Sequence, residues 1–127
     1  MRLLCADDDG DIRAILRLAL GLEGEFDAEI VDSGEAALAR ATSEKFDAIL
    51  LDAMMPGMNG YETCRQLKAA PATAHIPVVF LTAKTGRTEN QRALDVGALG
   101  CLTKPFDPMT LAKELKAKLR TPGVPSK

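Results

Sequence analysis

The sequence predicts a single α/β domain built on a parallel sheet. Three observations lead there. Short apolar runs alternate with stretches of helical periodicity, five of each. Several of the runs are almost continuously apolar, as in strands covered on both faces. The chain has 127 residues, 46% of them hydrophobic, enough for one packed core and too few for two ordinary domains.

The first strand is Leu3 to Ala6, ending in Asp7-Asp8-Asp9. Ile12, Ile15, Leu16, Ala19 and Leu20 then follow one helical face, with Gly21 and Gly24 as terminators. Ala28 to Val31 is the second strand. Ser33 caps a second helix running to about Ala41, with Ala37 and Leu38 turned inward. The third strand is Phe46 to Leu51. Met54 to Gly60 is a loop carrying the turn formers Pro56-Gly57 and Asn59-Gly60. Asn59 with Glu62 opens a third helix, which Pro71 ends. Ile76 to Leu81 is the fourth strand. Thr88 with Gln91 forms a capping pair for the fourth helix, closed by Gly97. Ala98 to Leu102 is the fifth strand. Asp107-Pro108 starts a last helix with an apolar stripe of Leu111, Leu115 and Leu119. Residues 1–120 are thus expected to form the domain, and 121–127 a flexible tail. The chain is expected to be free-standing or a piece of a longer protein.

Composition narrows the function. Sixteen basic and 18 acidic residues give a net charge of −2, which is no footprint for nucleic acid. No apolar run has the length of a membrane span, and the acidic start carries no signal peptide, so a cytoplasmic protein is expected. Cys5, Cys64 and Cys101 are odd in number and scattered, against a disulfide framework or a zinc site. The sole histidine, His75, reads as an exposed loop residue near two prolines. Met54, Met55 and Met58 suit either a soft contact surface or local packing.

Ligands of open parallel sheets bind outside the carboxyl ends of the strands. Those ends here are Asp7 and Asp8, Asp52, Thr82, and Lys104 before Pro105. Asp32 follows the second strand. Singly, each is more often a turn residue or a helix cap, as Asp9 is for the first helix. Together they gather carboxylates, a hydroxyl and an ammonium at one edge. Clustered carboxylates repel unless a cation intervenes, and Mg²⁺ suits an oxygen set that includes carboxylates, waters and a phosphate. A carboxylate can also take a phosphoryl group as an aspartyl phosphate.

Leu4-Cys5-Ala6-Asp7-Asp8-Asp9, Leu50-Leu51-Asp52-Ala53-Met54-Met55-Pro56-Gly57-Met58-Asn59-Gly60, Phe80-Leu81-Thr82-Ala83 and Lys104-Pro105-Phe106 closely resemble the response-regulator receiver domains of two-component signalling. The resemblance runs from the start to Arg120. It implies a flavodoxin-like three-layer (βα)5 fold with strand order 2-1-3-4-5, an order that other receiver proteins also adopt. It implies that Asp52 accepts a phosphoryl group from a sensor histidine kinase or a histidine phosphotransfer protein. Asp7, Asp8, Asp52 and the backbone carbonyl of Met54 would hold Mg²⁺. Thr82 and Lys104 would contact the phosphoryl group, Lys104 through a cis bond to Pro105. A downstream protein target would read the switch. Such a domain is no enzyme beyond assisting its own phosphorylation and slow autodephosphorylation.

The sequence departs from the family at Cys101, where receivers usually carry an aromatic switch residue three positions before the lysine. Output is therefore expected to use another movement, such as that of the loops after the third and fourth strands. The resemblance implies that Met54 and Lys84 occupy the positions that tune acyl-phosphate lifetime in this family. Apolar Met54 cannot position water, which predicts a long-lived phosphoform. An alternative is a receiver-like interaction module acting without phosphorylation. A phosphohydrolase would want an Asp where Met54 stands, and a flavodoxin would not place an acidic loop after the first strand.

Overall fold

The computed structural model describes residues 1–22, 24, 26–83 and 86–120. The predicted tail at 121–127 lies outside the described residues, as does Lys84. Five strands and five helices alternate: β1 (Arg2–Ala6), α1 (Gly10–Gly21), β2 (Asp27–Val31), α2 (Gly34–Ser43), β3 (Ala48–Asp52), α3 (Gly60–Ala69), β4 (Val78–Thr82), α4 (Arg87–Asp95), β5 (Gly100–Thr103) and α5 (Leu111–Arg120). All strand pairs are parallel, in the order β2-β1-β3-β4-β5, as expected.

Alternation of side chains along each strand builds two cores. Leu4, Ala6, Ile49, Leu51, Val78 and Phe80 face the side covered by α2, α3 and α4. Leu3, Cys5, Leu50, Val79 and Leu81 face α1 and α5, meeting Leu16, Leu20, Leu111 and Leu115. Every residue of β3 and β4 is buried, which is why those runs read as continuously apolar. β2 lies at the edge and is only half-buried. Cys5 and Cys64 are buried, Cys101 is half-buried, and all three are free thiols. His75 is exposed.

Local hydrogen bonds set the element boundaries. The Ser33 hydroxyl accepts from Ala36 N at 3.0 Å, and Asn59 Oδ1 accepts from Glu62 N at 2.9 Å. Asp9 caps α1 by accepting from Asp11 N at 2.8 Å. The capping pair expected at Thr88 and Gln91 does not form. Gly86 is the N-cap of α4, without a side-chain cap, and Thr88 lies inside the helix. Gln91 Nε2 instead donates to Asp95 at 2.8 Å. Gly97, at φ 93°, does follow the end of α4 in the left-handed region that glycine tolerates. β4 begins two residues later than expected because Ile76 closes a turn onto Thr73 O at 3.1 Å. β5 begins at Gly100, since Ala98 N is bonded to Ala93 O at 2.9 Å. Asp107 accepts from Met109 N at 2.9 Å, and α5 itself starts at Leu111 after that turn.

Candidate functional site

β1 and β3 are neighbours whose following connections lead to opposite faces of the sheet, and their carboxyl ends open a crevice between them. Asp7 directly follows β1, Asp52 ends β3, Thr82 ends β4, and Lys104 directly follows β5. Asp52 pairs in register with Leu81, and Thr82 with Thr103, so the four positions lie side by side along one edge.

Asp7 is fully buried and Asp52 is 4% exposed, whereas Asp8 faces solvent. One carboxylate oxygen from each of the three lies within 4.8 Å of the others. Lys104 Nζ sits between the two buried ones, 2.8 Å from Asp7 Oδ2 and 3.2 Å from Asp52 Oδ2. The bond between Lys104 and Pro105 is cis. Met54 N donates to Asp52 Oδ1 at 3.2 Å, and Asp9 N donates to Asp7 Oδ1 at 2.9 Å. Asp7 Oδ2 is shielded from solvent and makes no aligned hydrogen bond, with the Lys104 ammonium 2.8 Å away. Thr82 is buried, and its carbonyl accepts from Lys104 N at 2.8 Å. The Met54 side chain is 66% exposed.

The charges do not cancel. Burial and the neighbouring Asp7 push the Asp52 carboxyl up to about 6, although Lys104 and the Met54 N–H pull it down. Burial opposes the charge on Lys104, but its contacts with Asp7 and Asp52 prevail and hold its pKa above the usual value. Among the described residues, three carboxylates thus cluster about the Lys104 ammonium. An oxygen-rich, over-negative crevice with a shielded, unaligned oxygen is a fit for a small hard divalent cation. The same crevice offers a buried carboxylate as a nucleophile, with an ammonium beside it.

The expected side chains Asp7, Asp8, Asp52 and Lys104 thus converge, with Thr82 at the adjoining strand end. Two contributors were not anticipated. Arg13, on α1, donates to the Asp7 carbonyl at 3.0 Å, and no local pattern marks that contact. Gly60 packs its backbone against β3: its N–H donates to Ala53 O at 3.0 Å. A Cβ there would overlap the Asp52 carbonyl oxygen and come within 2.9 Å of Ala53 Cα. Locally, Asn59-Gly60 reads as a turn that leads into a helix cap, and its glycine is required by this close approach.

Comparison with known proteins shows the family. The family model described as response regulator receiver domain matches residues 3–116. The response regulator PleD of Caulobacter vibrioides is 43% identical over 124 residues, covering 94% of this chain and 26% of that protein. The DNA-binding response regulator MtrA of Mycobacterium tuberculosis is 39% identical over 119 residues, covering 94% of this chain and 50% of that protein. The chain therefore spans about a quarter of the first and half of the second. The structure of the chemotaxis response regulator CheY4 of Vibrio cholerae superposes with a TM-score of 0.84 at 33% identity, covering 92% of this chain and 97% of that one. With the family model spanning nearly all of the sheet and helices, the chain belongs to the response regulator receiver domains of two-component signalling.

Proposed function

We propose that Asp52 is the phosphoacceptor of this receiver domain, and that its loading switches the binding of a protein target. The observation that supports this best is Lys104, held 2.8 Å from Asp7 and 3.2 Å from the buried Asp52. An ammonium at that point can meet a phosphoryl oxygen on Asp52 without rearrangement of the sheet. Residues 1–120 are the proposed unit.

A Mg²⁺ ion fits the oxygen set of Asp7, Asp8 and Asp52, with the Met54 carbonyl as the further ligand that the family resemblance implies, and when bound it would supply charge neutralisation at the phosphoryl oxygens. An Asp52 carboxylate oxygen attacks the phosphorus of a phosphohistidine donor. The O–P bond forms as the N–P bond breaks, and the donor imidazole leaves with the electron pair and takes up a proton. Lys104 contributes its ammonium to one phosphoryl oxygen. The Thr82 hydroxyl donates to another. The burial of Asp52 keeps bulk water from the acyl phosphate, and the thioether of Met54 cannot orient an attacking water. A slow autodephosphorylation follows from both.

Receiver domains are signalling modules without an independent catalytic activity. The proposed donors are a sensor histidine kinase or a histidine phosphotransfer protein. The receiver is assigned no nucleic-acid contact, although MtrA, of which it matches half, is DNA-binding. No helix among the described residues is long and apolar enough to cross a membrane. The cytoplasm is the proposed location.

The test is intact mass after incubation with Mg²⁺ and a small acyl phosphate. One phosphoryl group should add to the native chain and none to Asp52→Asn. Equal addition to both would move the acceptor elsewhere, and addition to neither would favour an interaction module that works without phosphate.

A further inference from the structure

The family's aromatic position in β5 holds Cys101, a residue with no ring to move. A ring is nevertheless present behind the site. Tyr61, in the first turn of α3, is 3% exposed. Its centroid lies 4.7 Å from that of Phe80, and Phe80 is the register partner of Cys101. The Tyr61 hydroxyl donates to Glu89 Oε1 at 2.9 Å, and the Arg92 guanidinium stands over its ring at 4.0 Å. Glu89 and Arg92 both belong to α4 and lie about one turn apart.

We propose that Tyr61 is the aromatic readout residue of this domain, gripping α4 through Glu89 and Arg92 in the unloaded state and releasing it when Asp52 is phosphorylated. This rests on Asp52 being the phosphoacceptor.

Two inputs from the site converge on the ring. The residue before it, Gly60, is pressed against the Asp52 carbonyl and bonded to Ala53. The strand beneath it, β4, ends in Thr82 and carries Phe80. A phosphoryl group on Asp52 draws the end of β4 toward its oxygens, and α4 follows β4 in the chain. Glu89 is thereby carried off the hydroxyl.

α4 is suited to such release. Ala93 is its single buried residue, and it has no side-chain cap. It packs on β5, is gripped by Tyr61, and takes a thiol contact from Cys101 Sγ to Glu89 O at 3.7 Å. A helix that buries a single residue of its own sits at the low end of local stability, where elements that move are found.

The test compares amide hydrogen exchange of residues 87–95 before and after loading, in the native chain, Tyr61→Phe and Glu89→Ala. Loading is done with Mg²⁺ and a small acyl phosphate and checked by intact mass on the same samples. Tyr61→Phe keeps the buried ring, and Glu89→Ala changes only a half-buried helix position, so each backs up the other. In the native chain, loading should raise exchange in α4 roughly threefold to tenfold, the worth of one hydrogen bond. In both variants exchange should be raised already, and loading should add little. A merely structural tie would raise exchange in the variants and leave the ratio of loaded to unloaded unchanged, because independent effects add. An equal ratio in all three chains, or no response in the native one, overturns the inference while leaving the phosphoacceptor intact. Failure of the native chain to take up phosphate overturns both.

Discussion

Asp52 is an acid in a poor place for an anion: buried, beside Asp7, and only partly compensated by Lys104. Its carboxyl is pushed from 3.8 to about 6. The folded chain therefore binds that proton more tightly than the unfolded chain does. Between pH 3.8 and about 6, the contribution of Asp52 to stability falls as pH rises, and above that window it is a fixed cost on the order of 2–3 kcal/mol. In metal-free protein, Asp52→Asn should raise stability at about pH 7.5 and lose that advantage near about pH 4. Urea denaturation at both values checks this, and a difference that does not vary with pH would remove Asp52 as its source. The residue types of the site were legible in the sequence because each follows an apolar strand. The protonation balance was not, since it depends on Lys104 reaching two carboxylates that lie far from it in the chain. Nor was Tyr61, although it is the sole tyrosine; its partners are Glu89 and Arg92, a helix away.

Helix ends illustrate the limit of local reading. Ser33 and Asn59 cap because the chain enters their helices in an extended conformation, with the side-chain oxygen turned back over the first turn. Thr88 has the same local pattern, but Gly86 at φ 121° starts α4 earlier and leaves Thr88 within it. Ser33→Ala should cost about 1 kcal/mol, whereas Thr88→Ala should change stability by less than about 0.5 kcal/mol. Paired denaturation curves decide this, and equal losses would mean that Thr88 caps after all. β3, β4 and β5 each start two residues after the apolar runs that predict them, and for β4 and β5 the reason is related. Ile76 and Ala98 are apolar and buried, as strand residues are, but their N–H groups are spent on the preceding turn and helix.

At the scale of the whole molecule, alternation alone gave five strands and five helices, and the order 2-1-3-4-5 came from the family resemblance. Periodicity identifies strands but not their neighbours, because parallel pairing joins segments that are far apart in the chain. The over-negative edge has a global effect on stability. A cation bound only by the folded chain raises its melting temperature by mass action. Mg²⁺ at about a hundred times its Kd should raise the melting point by about 5–10 °C. Asp7→Asn should largely abolish that rise in a thermal scan, and a rise of equal size in the variant would place the cation elsewhere.

The sheet also divides the interior into two halves that share no side chains, one under α1 and α5, the other under α2, α3 and α4. Tyr61, Phe80 and Ala93 all lie in the second half. If loading releases α4 as inferred from Tyr61, a protein gripping α4 meets two different surfaces, while the half under α1 and α5 contains none of Tyr61, Phe80 and Ala93. On that inference the sheet separates the face that reports the state of Asp52 from a face built on another core.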